Sequence, residues 1–497
     1  MKRYDTLDGS LLKWKNKFHY LELDVRSLSL FRIVLGVSLL YNLIIIRWNY
    51  AVELLGKDRI VPIDIMHKLN GTNAFSVFDI IQNNNFAFIY LLLTILSAGF
   101  YTIGYKTKFF SWITLFLYWN ILQATSSYCF GFDFYTFQLL FWSCFLPLDN
   151  FFSVSKKVQI VKPYFSVTFV LLFQIVCVYF FTGLAKYGIS WKGGYAVHNM
   201  LMDNWATLSP SSLLIDKPYL YKPLTYATLL ADILFPFLIF IPSPRSVFRY
   251  VIVVYLIGFH LCIFLMYNVG NFSITGFAAA TVLLPSDFWD RFHKTDKKII
   301  SAPHSRWNYV LILFCLFSIY IITVKNLVFS TKFTAAKDWK NIKDIKSFLS
   351  KVDVTAPVKV SFFIQNWKMF APNPPLKLGW MSLEIKKEDG FYYDLLTNQL
   401  ITDVPTIYWY PTGYEGLIIK YSRNYVYPAV GEKYKIFLKY WIPYKMKKMN
   451  IKYDSNKILF VDYVFFSADQ STPFVPPIKK VVIPADSITG YKPFGMY

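Results

Sequence analysis

Residues 164–183, "YFSVTFVLLFQIVCVYFFTG", run for twenty positions without a charged side chain. A helix of about 20 mostly apolar residues rises about 30 Å, the thickness of a bilayer's hydrocarbon core. No water is present there to satisfy a backbone, so a crossing segment must close its own hydrogen bonds, which an α-helix does. Nine such segments are expected, at 28–46, 86–104, 109–124, 134–148, 164–183, 222–241, 248–268, 271–286 and 308–325, the third, fourth and eighth being short. Composition agrees: of 497 residues, 55% are hydrophobic, 20% aromatic and only 16% charged, more apolar than an ordinary soluble domain.

Charge sorts the connections. The chain carries a formal +22. In a soluble protein that would point to nucleic acid, but no RNP motif, zinc-finger spacing or basic heptad array is present, and no nucleic-acid partner is expected. The basic residues instead fall in alternate loops: Lys13, Lys15 and Lys17; Lys106 and Lys108; Lys156, Lys157 and Lys162; Arg245; then Arg291, Lys294, Lys297, Lys298 and Arg306. The opposite short loops, 125–133 and 269–270, hold no Lys or Arg. The positive-inside rule then places the N-terminus in the cytoplasm and the region after the ninth span outside it. The N-terminal segment has acids and aromatics but no cleavable signal pattern. Five cysteines lie in or beside apolar runs without a C-x-x-C, so neither a disulfide framework nor a metal site is expected.

Three regions follow: 1–27, a cytoplasmic amphipathic lead-in; 28–325, the transmembrane domain; and 326–497, an extracytoplasmic, mostly β domain. The last shows short alternating or β-branched and aromatic runs, "WMSLEIKK", "FYYDLLT", "EKYKIFLKYW" and "KILFVDYVFFS", separated by turn signals, with an amphipathic helix near 339–350. The fold class is therefore an α-helical polytopic membrane bundle of about nine transmembrane helices with a C-terminal β-rich extracytoplasmic domain. Two long outer connections, 47–85 and 184–221, are expected to form structured caps. "NWKMFAPNPP" (366–375) reads as a fixed corner where the tail docks on the bundle.

Charged or titratable groups inside a membrane need a reason, and four stand within or at the edges of spans: Arg32, Lys186, Asp232 and His260. Arg32 and Asp232 read as structural charges: Asp232 needs a partner if ionised or sits protonated, and a charge pair between the two would be structural glue. Lys186 closes the fifth span in "TGLAKYGISWKGGYAV". Either it snorkels to the surface or it is a buried amine whose desolvation favours the neutral base. Four glycines nearby and the rings of Trp191 and Tyr195 favour burial. His260, mid-span, is either bonded to a neighbouring helix or a ligand contact or proton relay. Walker A, Rossmann, H-E-x-x-H and G-x-S-x-G patterns are absent from the sequence, which argues against ATP-driven work, dinucleotide redox chemistry and the common hydrolases.

At these residues the sequence resembles the vitamin K-dependent gamma-glutamyl carboxylases and the bacterial proteins that share their horizontally transferred transmembrane (HTTM) domain. The resemblance rests on "FTGLAKYGISWKGGYAV", "NWATLSP" (204–210), the "FH" ending at His260 with Gly270 and Phe272 beyond it, "LFRIVLG" (30–36) and "WKMFAPNPP". It implies a lysine base, here Lys186, acting on a reduced, menaquinol-like quinone with oxygen and carbon dioxide as co-reactants, and His260 lining the site. Trp191 and Tyr195 would help hold the quinol. An exported polypeptide would be the substrate, and a bacterial inner membrane the location, which the abundance of Lys, Ile, Asn, Tyr and Phe also suits. One departure matters. Where the family has Asn-His before Ser-Tyr-x-x-Gly, this chain has Thr125 and Ser126. Their hydroxyls can hydrogen-bond a quinol oxygen but cannot replace an imidazole. Quinol binding or oxidation therefore carries over more directly than carboxylation. A membrane scaffold or export factor that binds a partner protein through the tail remains the rival expectation.

Overall fold

The computed structural model describes residues 19–70, 75–126, 129–155, 159–201, 209–243, 246–267, 269–292, 299–300, 307–333, 367, 369–374, 377–395, 400, 431–450, 458–466 and 479–484. The expected helix near 339–350 lies outside them.

Helices occupy the expected apolar segments: α1 Val25–Tyr41, α2 Asn84–Ile103, α3 Thr107–Ala124, α4 Gly131–Ser143, α5 Phe165–Ala185, α6 Tyr221–Leu238, α7 Val247–Met266, α8 Phe272–Val282 and α9 Trp307–Phe333. Among the described residues, five helices rather than nine are long and apolar enough to cross a membrane: Val25–Leu55, α2, α5, α7 and, within α9, Asn308–Asn326. The physical reason is clearest for α4 and α8, whose 13 and 11 residues rise only about 20 and 16 Å.

Local sequence fixes the ends. The Asp24 carboxylate caps α1 by accepting the Arg26 N–H at 2.7 Å. Asn83 does the same for α2, which Gly104 then stops in the left-handed conformation, φ 81°. The first helix does not run straight: Asn42–Arg47 forms a π turn, leading through a 3-10 turn into Ala51–Leu55.

α5 is the central helix, packed against both α6 and α9. Its apolar window is 78% buried, against 28% for α7 and 22% for α9. The outer helices present Leu92, Leu96, Val254, Leu261, Phe264, Leu313 and Phe317 to the surroundings. Side chains of that kind at that density match a lipid solvent.

Contacts between connections fall into two sets. In one, the Tyr20 hydroxyl donates to the Phe240 carbonyl at 2.8 Å, Arg249 donates to the Glu22 carbonyl at 3.0 Å, and the Lys106 N–H donates to Ser155 at 3.2 Å. Arg26 pairs with Asp290 at 2.8 Å, and β1 (Ile160–Val161) pairs in parallel with β2 (Ile299–Ile300). In the other set, the Val77 N–H donates to Asn120 at 3.0 Å, the Lys57 N–H to Asn84 at 2.9 Å, and the Tyr267 hydroxyl to the Met200 carbonyl at 2.7 Å. Both long connections are structured where described, with buried Ile60, Val61, Met66 and Phe78 in one and Trp191, Ala196 and Leu201 in the other.

In the tail, the described residues hold one sheet and one helix. Its sheet has order β4-β3-β5-β6, formed by β3 Lys377–Lys386, β4 Tyr392–Asp394, β5 Ile458–Phe466 and β6 Lys479–Pro484, all antiparallel. "EKYKIFLKYW", expected as a strand, instead opens an 18-residue helix, α10 Gly431–Lys448. Buried Trp441, Ile442 and Met446 fall on one side of the helix, whereas a strand would put Trp441 on the face opposite Ile442 and Met446. This helix docks on the connection that follows α1. Tyr444 and Lys448 both donate to the Glu53 carboxylate at 3.0 Å. Burial and then the Glu53 charge push the Tyr444 phenol up, so it stays a donor at neutral pH. Tyr444→Phe should weaken this docking by about 1–2 kcal/mol, read as faster proteolytic release of the tail from an otherwise intact bundle.

Candidate functional site

Lys186 caps α5 with φ −83° and ψ 53°, its N–H donating to the Gly183 carbonyl at 3.1 Å. Its Nζ donates to the Asp232 carboxylate of α6, and the two side chains are only 4% and 2% exposed. Burial therefore holds, and the snorkelling alternative does not. The expected partner of Asp232 is corrected at the same time: it is Lys186, not Arg32. Gly183 makes the pair possible. A Cβ there would lie 2.9 Å from Ile233 and 3.0 Å from the Cβ of Asp232, so only glycine lets α6 come this close.

Trp191 closes the other side of the amine. Its ring centroid lies 4.6 Å from Lys186 Nζ, a cation–π contact in a desolvated setting, and it is fully buried. Its indole N–H donates to the Phe370 carbonyl at 2.9 Å. Tyr195 stands apart from this contact. It is 38% exposed, and its ring covers Gly193, where a Cβ would come within 2.5 Å.

His260, fully buried on α7, shares a 2.7 Å hydrogen bond between Nε2 and the Tyr179 hydroxyl. Tyr179 precedes Lys186 by seven residues on α5, two turns or about 10 Å along one face. Asp232 acts electrostatically on both the Tyr179 and the Tyr255 hydroxyls. A broken polar line therefore runs from Lys186 and Asp232 through Tyr179 to His260. Two buried polar atoms of this region make no hydrogen bond among the described residues: His260 Nδ1 and Tyr255 Oη. Phe272, Phe259 and Phe277 enclose the imidazole with ring centroids at 5.3, 5.4 and 6.2 Å. Gly276 makes room for it, since a Cβ there would sit 2.2 Å from the ring. Gly276→Ala should displace His260, break its bond to Tyr179 and cost about 1–3 kcal/mol of stability, seen as a lower melting temperature in detergent. An unchanged melt would show that the ring has room to move.

Thr125 and Ser126 use their hydroxyls locally. Thr125 donates to the Ile121 carbonyl at 2.7 Å and Ser126 to that of Gln123 at 3.1 Å. Arg32 is fully buried and donates to the carbonyls of Thr102 at 3.2 Å, Leu148 at 2.7 Å and Phe152. Its cation thus meets the Thr102 carbonyl in the last turn of α2, where the helix dipole favours positive charge, and two carbonyls of the loop that follows α4.

A second buried polar cluster was not among the residues singled out from sequence. Arg47 pairs with Asp133 at 2.9 Å, with side chains 5% and 0% exposed. The same carboxylate oxygen accepts from Asn42 and the Tyr118 hydroxyl, each at 3.0 Å, while its other oxygen accepts the Phe130 N–H at 2.8 Å. Asn271 extends the network to Ser38 at 2.8 Å and Thr136 at 3.2 Å. Cys129 of the 125–130 loop lies within electrostatic reach of the pair. The signal was present in the sequence: Arg47 and Asp133 each sit one residue beyond an expected span, at 28–46 and 134–148.

Apolar helices that bury ion pairs among themselves and turn leucine and phenylalanine outward define a helical membrane protein. The HTTM domain family matches residues 20–289, more than half of the chain, and the chain belongs to that family. No curated protein and no solved structure matches it.

Proposed function

We propose that the protein spans the membrane with nine helices and binds a reduced quinone beside the Lys186–Asp232 pair, Lys186 taking the quinol proton. The observation that carries this reading is the burial of that pair at the end of the central helix, under Trp191. The two sets of loop contacts support the division of the loops between two sides: the segments expected on the cytoplasmic side touch one another, and so do those expected outside. A proton passed from Nζ to Asp232 would leave a neutral amine, the form able to accept a proton from a ligand. A bound quinol would supply an acidic hydroxyl and the electrons to reduce oxygen. The unpaired His260 Nδ1 and Tyr255 hydroxyl suit such a ligand, whose oxygens both donate and accept. An exported polypeptide is the substrate class that the resemblance to the carboxylases suggests, and the inner membrane of a bacterium the location. Thr125 and Ser126 are the weakest of the proposed quinol contacts, their hydroxyls being already bonded.

The test is menaquinol oxidation by the purified protein in nanodiscs, following oxygen uptake and epoxide beside Lys186→Met and His260→Phe. Turnover by the wild type, lost in Lys186→Met while the variant elutes as folded protein, is the expected result. Folded wild type without turnover would favour the second reading, a non-catalytic scaffold that holds an exported protein. That reading draws on Thr125 and Ser126, which stand in place of the family's Asn-His pair and spend their hydroxyls on local carbonyls.

A further inference from the structure

Three hydrogen bonds fasten one corner of the tail to the loop that carries Lys186. The Gly188 N–H donates to the Pro372 carbonyl at 2.9 Å. The Ser190 N–H donates to Asn373 Oδ1 at 2.9 Å, and the Trp191 indole N–H to the Phe370 carbonyl at 2.9 Å. Asn373 sits where a side chain of residue 188 would be: a Cβ on Gly188 would come within 2.1 Å of its Oδ1. The corner is itself anchored in the bundle. Trp367 is buried and meets the Tyr135 ring edge-on at 5.7 Å, and Phe370 meets Tyr267 edge-on at 5.5 Å.

We infer that residues 370–373 are the outer wall of the Lys186 site, and that Asn373 and Trp191 are positioning residues holding the amine against Asp232. Trp191 is the physical link, because one indole both covers Lys186 Nζ with its face and is gripped by the tail through its N–H. The face excludes water, which strengthens the ion pair. The grip fixes where the face lies. Displacing the corner therefore tilts the indole and admits water to the pair. Site and tail are one unit: a change in the tail is read at Lys186, whatever chemistry the amine performs.

The readout is acylation of lysines by an amine-reactive ester in nanodiscs, quantified per residue by mass spectrometry, with exposed Lys192 as internal reference. Asn373→Ala should raise labelling of Lys186 relative to Lys192 by roughly five- to tenfold, the population shift that one lost hydrogen bond brings. Asn373→Asp keeps the acceptor for the Ser190 N–H and should label like the wild type. Gly188→Ala expels Asn373 from the bundle side and should match Asn373→Ala, giving a second route if the first variant folds poorly. Unchanged Lys186 labelling in both alanine variants would overturn the inference, and so would Asn373→Asp behaving like Asn373→Ala. Labelling does not depend on quinol turnover, so failure here and failure of the quinol reading are distinguishable.

Discussion

Asp232→Leu should destabilise the bundle by about 3–5 kcal/mol, and Lys186→Met by a similar amount, while the double variant should recover most of the loss. Each single change leaves one charge buried without its partner, and the lone group must then stay ionised in a dry site or neutralise at a cost. The double change replaces a buried pair by apolar groups of similar bulk, which the surrounding helices can accept. The measurement is a thermal melt in detergent, followed by size-exclusion fluorescence. Additive losses, with the double variant worst of all, would mean that the two residues act separately and that the ion pair between them contributes nothing. The comparison also separates stability from function. A stable double variant without quinol turnover would assign the pair to chemistry, since its fold would be intact.

Asp133→Leu should be as damaging, at about 3–5 kcal/mol, although no charge of the proposed chemistry lies there. Asp133 accepts from Arg47, Asn42, Tyr118 and the Phe130 backbone. Removing it orphans a buried guanidinium and releases the 125–130 loop from α1. Asp133→Asn keeps the shape and one acceptor but loses the charge that balances Arg47, and should fall between the two. Arg47→Met with Asp133→Leu should recover stability more weakly than the Lys186–Asp232 double variant, because Asn42 and Tyr118 would also lose their acceptor. A melt of Asp133→Leu within about 0.5 kcal/mol of wild type would show that the cluster is solvated and not a buried lock.

The positions of the helices were legible because the apolar runs hold few charges and most are long. Whether each run crosses was not, because α4 and α8 are too short to span a bilayer by themselves. In the tail, β3 and β5 were legible from β-branched and aromatic alternation. α10 was not, because its aromatics also fit a strand until Trp441, Ile442 and Met446 are seen to share a buried face. Lys186, Asp232 and His260 drew attention as costly groups in apolar runs. Tyr179 did not, since a tyrosine in an aromatic-rich span carries no signal until its hydroxyl is found on His260.

The sequence by itself determined that this chain packs apolar helices in a membrane, that its basic loops alternate, and that Lys186 closes the fifth apolar run. Those properties follow from residue type and spacing along one strand of chain, which solvent and backbone hydrogen bonding read directly. Only the tertiary structure decided who meets whom: Asp232 with Lys186 and not with Arg32, Arg32 with three carbonyls, Arg47 with Asp133 across 86 positions, and Trp191 with Phe370 across 179. Pairing across such separations depends on which helix faces touch. Here glycines such as Gly183 and Gly276, which open the space for a partner to enter, help to set that contact.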